Sequence, residues 1–114
     1  MAKTVKRLYG PALVATGPTT VYTVPASTTA LIRHVHVSNP SGSAVTLTLS
    51  IGADAAGTRL LGTYSIPAAA AGVSDSVRDM YWSVPMTAAE ILTVSAGTNN
   101  ILVIVVSGEE YTAG

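Results

Sequence analysis

Apolar and polar positions alternate with a period of two along much of this chain, and turn residues interrupt the alternation every several positions. Successive strand residues point to opposite faces, so this period predicts β-strands with one buried side. The clearest stretch sets Val45, Leu47, Leu49 and Ile51 against Thr46, Thr48 and Ser50. Upstream, residues 21–24 read as a short strand closed by Pro25, and residues 30–38 as a longer one closed by Asn39, Pro40, Ser41 and Gly42. With 43–51, that longer strand is expected to form an antiparallel hairpin. Further strands are predicted over 58–66, 77–84, 91–94 and 101–107, joined by a loop at 52–57, a small-residue connection at 68–72 and a segment at 85–90. Within the last, Thr87 and Glu90 have capping-box spacing, which predicts one helical turn.

Seven or eight short strands with turns between them predict an all-β, two-layer antiparallel β-sandwich of immunoglobulin-like or jelly-roll topology. The period places Val35, Val37, Val45, Leu47, Leu49, Leu92 and Val94 in its core. Residues 19–114 form this single domain. Residues 1–18 stand apart as an N-terminal arm or edge segment, because Gly10-Pro11 and Gly17-Pro18 break the pattern and Pro disfavours a central strand.

Charge changes the picture. Asp, Glu, Lys and Arg make up 11% of the 114 residues and cancel to zero net charge, against roughly 25% in an ordinary soluble domain. Mean hydropathy is +0.46, yet no apolar run approaches the roughly 20 residues of a spanning helix. So bland a surface has little colloidal repulsion and tends to associate. The run from Ile101 to Val106 is apolar on both faces, so Ile101, Val103 and Val105 are expected to meet another subunit. A homo-oligomer follows, trimer first. At its ends the chain carries opposite charges: solvated ends are one reading, and the other is an arm that crosses to a neighbour, with Lys6 and Arg7 beside its Glu109 and Glu110 and with Leu8 and Tyr9 in an apolar groove. Too few basic residues cluster for nucleic-acid binding. No membrane partner is expected. The N-terminus lacks the apolar core of a secretory signal, which points to synthesis in a cytoplasm.

The chemistry on offer is sparse. There is no Cys, and no Gly-x-Ser-x-Gly elbow, Walker loop or dinucleotide fingerprint. His34 and His36 share a strand face, a spacing that suits zinc or copper, but no carboxylate near them in sequence supplies a third ligand, and Ile32 and Ser38 are their expected same-face neighbours. A pair of imidazoles bonded to Ser or Thr is the expectation, with no metal and no cofactor. Asp54 is expected in an Asx-turn rather than a calcium loop, which would need several carboxylates. Asp75 and Asp79, flanking Arg78, could mimic a hydrolytic pair, but a polar approach to the strand of Tyr81 and Trp82 is the stronger reading. Tyr81 and Trp82 must face opposite ways, with Trp82 inward beside Met80 and Val84. No enzyme is predicted.

Three segments carry a resemblance. Lys6-Arg7-Leu8-Tyr9-Gly10-Pro11, then Val21-Tyr22-Thr23-Val24-Pro25, then the stretch from Leu49 through Gly52, Asp54 and Gly57 to Arg59 resemble small β-sandwich virion proteins of tailed bacteriophages. The resemblance implies a virion location, homo-oligomeric assembly against the major capsid protein or other virion subunits, and no catalytic residue. It implies head decoration or stabilisation first, a tail or baseplate accessory role second. A glycan- or receptor-binding module presenting the loop at 52–57 is the alternative from another class.

Overall fold

The computed structural model describes residues 2–68 and 76–112, and within them it contains eight strands and no helix. They are β1 (Ala2–Leu13), β2 (Thr19–Thr23), β3 (Thr28–Ser38), β4 (Val45–Ile51), β5 (Arg59–Ile66), β6 (Val77–Met86), β7 (Ile91–Ala96) and β8 (Val103–Thr112). One antiparallel sheet, A, has the order β1-β8-β3-β6, and the other, B, the order β2-β7-β4-β5. The two-layer sandwich expected from the sequence is therefore present. Its topology is the jelly roll: the chain pairs β1 with β8, β2 with β7, β3 with β6 and β4 with β5, as one long nested hairpin. Rolling that hairpin adds the β3–β8 and β4–β7 ladders, which close the two sheets.

This arrangement corrects the predicted hairpin over 30–51. β3 and β4 lie in different sheets, and the turn between them is a corner of the sandwich. Crossing there lets both strands direct their apolar faces into one interior. Asn39, fully buried, pins the corner. Its Nδ2 donates to the carbonyls of Ser43 at 2.9 Å and Ile66 at 3.1 Å, while its Oδ1 accepts from the Ser41 amide and hydroxyl. The turn at 87–90 likewise joins the sheets. Glu90 Oε1 accepts from the Thr87 amide at 2.6 Å, as a capping box requires, but Ala89 adopts φ 72° and the chain enters β7 without a helix.

Val35, Val37, Val45, Leu47, Leu49, Leu92 and Val94 all lie in the core, joined by Ile32, Ile66, Met86, Leu102, Ile104 and Val106. Trp82 packs against this core with Met80 and Val84, and Tyr81 points outward, as the alternation predicts. A β-bulge in β3 departs from strict alternation. Relative to β8, β3 carries one extra residue between Ile32 and His34, so Ile32, Val35 and Val37 all face inward. Ile32 is thus not on the histidine face. Opposite the bulge sits Gly108, and a Cβ there would collide with the Leu31 carbonyl.

Residues 2–18 are tied to the sandwich. Ala2–Leu13 is an edge strand of sheet A, hydrogen-bonded to β8 along its length, and Leu8 enters the core. Ten- to twelve-residue strands make sheet A longer than sheet B, whose strands have five to eight. Residues 69–75, which hold most of the predicted small-residue connection and Asp75, lie outside the described residues.

Leu47→Ala removes a fully buried side chain at the centre of sheet B and should cost about 2–5 kcal/mol in chemical denaturation. Asn39→Ala should cost roughly 1–3 kcal/mol, because the Ile66 carbonyl is left without its buried donor. Far-UV circular dichroism should remain that of a β protein in both.

Candidate functional site

The outer face of sheet A carries the chain's chemistry. In the β3–β6 register His36 stands opposite Asp79 and His34 opposite Tyr81. Because the bulge has turned Val35 and Val37 inward, both imidazoles project outward from β3 and meet the Asp79 carboxylate from the edge strand β6. His34 Nε2 and His36 Nδ1 each lie 2.7 Å from the same oxygen, Oδ1 of Asp79. An ionised carboxylate only accepts, so each imidazole presents an N–H at that atom. Tyr81 stacks on His34 with ring centroids 4.7 Å apart and planes 15° from parallel. The three side chains are 29–40% exposed, and Tyr81 as a residue 74%. The bonds to His36 and then His34 hold the Asp79 carboxyl below its ordinary range.

This cluster corrects the expectation that no third ligand is at hand. Asp79 supplies it, 43 residues from His36 and 45 from His34. Nothing local to the histidines announces Asp79; only the β3–β6 ladder does. Once His36 is set opposite Asp79, antiparallel pairing places Tyr81 opposite His34.

Beside the cluster, Arg33 fills the bulge, donates to Ser83 Oγ at 2.9 Å and pairs with Glu109 at 3.0 Å. Lys3 also reaches Glu109, at 3.5 Å, so this nearly buried carboxylate is paired twice within the chain. Glu110 accepts from Lys6 at 3.3 Å and, across the two sheets, from the Tyr22 hydroxyl of β2. Burial, then Glu110, raise the Tyr22 phenol far above its usual value. The ion pairs expected between subunits therefore close within one chain. Leu8 is in the core, with Tyr9 and Ile101 packed against it, while Val103 and Val105 lie half-buried on the outer face and Arg7 reaches the Gly10 carbonyl. In the loop after β4, Asp54 accepts from Arg59 Nε at 2.8 Å, where an Asx-turn was expected.

No pocket forms among the described residues. An arrangement of this kind can bind an ion or a flat partner, but it encloses no substrate.

No protein-family model matches the chain, and no curated protein matches it. In the structure of infectious bursal disease virus Gt strain, one chain aligns over 96% of this chain at 11% identity and a TM-score of 0.33. This chain spans 28% of that one. An overlay so loose assigns neither fold nor role.

The Asp79 carboxyl should titrate below 3.8 by carbon-detected NMR. Its midpoint should rise toward that value in His36→Gln and, by less, in His34→Gln. A depressed folded-state value means that the stabilising contribution is complete above the ordinary carboxylate range. It is lost as pH falls through the depressed midpoint.

Proposed function

We propose that this chain is a non-enzymatic structural protein of a bacteriophage particle, a head decoration subunit that forms a homo-oligomer, trimer first, and bridges capsid subunits. The observation that carries the reading is the outward face of sheet A. Besides its paired charges it presents Val5 (74% exposed), Leu13 (52%) and Val77 with half-buried Val103 and Val105, more exposed apolar surface than a solitary domain needs. Leu13 stands directly across from Val103 in the β1–β8 register, which joins edge and centre of the sheet into one apolar strip.

The remaining features agree with such a role. Lys3, Lys6, Arg33, Arg59, Asp54, Glu109 and Glu110 are engaged in ion pairs inside the chain, which leaves little free charge for steering or for phosphate. The described residues form no pocket, which suits broad contact better than turnover. Jelly rolls build viral capsid and lectin domains, an analogy at the level of fold that favours the reading without assigning it. The resemblance of three segments to tailed-phage virion proteins points the same way. A subunit of this kind works by shape: a contact of about 800 Å² per partner is a standard interface, and repetition on a lattice multiplies its strength.

Sedimentation of the isolated protein at micromolar concentration should show a closed oligomer. Leu13→Glu together with Val103→Glu should dissociate it while the β spectrum persists. A wild-type monomer at all accessible concentrations would remove self-assembly from the reading. Copy number per particle separates the head from the tail: hundreds support decoration, whereas a handful supports a tail or baseplate accessory subunit.

A further inference from the structure

We infer that His34, His36 and Asp79 form a surface binding site for a late first-row transition ion, with Zn²⁺ as the reference, on the outer face of sheet A. Two imidazoles and one carboxylate are a donor set that suits zinc, copper or nickel rather than calcium or magnesium, which take oxygen ligands. The spacing fits as well. In a tetrahedral zinc site with bonds of 2.0–2.1 Å, donor atoms stand about 3.4 Å apart. Here both nitrogens lie 2.7 Å from Asp79 Oδ1, and all three donor atoms fall within 4.8 Å of one another. The N–O distances are shorter and the widest donor separation longer than required, so an ion enters when the Asp79 side chain moves outward and the two imidazoles rotate toward each other, with the backbone unmoved.

The site is built on strands. His34 and His36 are held by the β3 ladders on both sides, Asp79 is fixed opposite His36 by register, and Tyr81 stacked on His34 restrains one ring plane. Donors fixed in this way lose little freedom on binding. Partial exposure of all three side chains gives the ion a direct path from solvent. Entry requires each imidazole to change tautomer. The proton now directed at Asp79 moves, through water, to Nδ1 of His34 and Nε2 of His36, and the vacated lone pairs face the ion with no net proton release. Three protein ligands leave a fourth position on the outward side, open to water or to a donor from a neighbouring molecule. No pocket surrounds it among the described residues, and this open position serves as a point of attachment.

The test uses the full chain without a polyhistidine tag, titrated with Zn²⁺ at neutral pH. Calorimetry should give one ion per chain, and NMR should show the side-chain resonances of His34 and His36 shifting together while the core resonances stay. His34→Gln, His36→Gln and Asp79→Asn should each weaken binding by about tenfold or more, in line with what disturbing a metal's ligand environment costs. All three positions are on the outer face, and circular dichroism verifies that the variants fold. The NMR measurement on the unaltered chain stands independently of them. Absence of saturable binding at millimolar Zn²⁺, or binding that survives in the His34→Gln/His36→Gln double variant, would overturn the proposal.

Discussion

The ladder between β3 and β8 is the interaction on which the rest of this structure depends. It joins the two central strands of sheet A and converts a long nested hairpin into a closed sandwich. It also contains the bulge. Because β3 has one residue more than β8 between Ile32 and His34, the phase of the strand changes there, and Ile32, Val35 and Val37 can all be buried. Strict alternation from Ile32 would have buried both histidines and exposed both valines. Gly108 makes room for this close approach, since any side chain there would meet the Leu31 carbonyl. One irregularity in one ladder thus decides the composition of the core and of the outer face together.

Electrostatics in this protein is local. The charges are few: Lys3, Lys6, Arg33, Glu109 and Glu110 pair across neighbouring strands of sheet A, and Asp54 pairs with Arg59 at the start of β5. Their cations are largely exposed, so solvent screens each pair and its individual contribution to stability is small. Their consequence is for the surface: Glu109 and Glu110, which would be conspicuous anionic sites if free, are covered by Lys3, Arg33, Lys6 and Tyr22. Beside these pairs and the histidine cluster, the surface is largely apolar or hydroxyl-rich. Such a surface is a liability for a solitary protein and an asset for a subunit that contacts many copies.

Edge strands impose a second constraint. β1 and β6 bound sheet A, and an unpaired edge invites addition of another strand. Lys3, Lys6 and Arg7 on β1, and Arg78, Asp79 and Pro85 on β6, oppose uncontrolled pairing at both edges. Strand addition at either edge is thereby disfavoured. The histidine cluster lies on the outer face of the sheet, beside the β6 edge.

The sequence by itself determined most of the strands and the side each buries, apart from β1 and the change of phase at Ile32. Burial of one face writes a period of two directly into consecutive residues, so the seven core positions from Val35 to Val94 and the opposed orientations of Tyr81 and Trp82 could be read without a structure. The capping chemistry of Thr87 and Glu90 was legible too, although a left-handed Ala89 ends the turn before a helix begins. Tertiary structure alone decided which strands pair. Period two carries no information about partners, so a β3–β4 hairpin and a two-sheet corner look alike in sequence until Asn39 is seen bonded to Ile66, 27 residues away. For the same reason the histidines had no visible third donor. Asp79 is a distant residue in sequence and a neighbour in space, placed there by a ladder whose register depends on the packing of the whole sandwich.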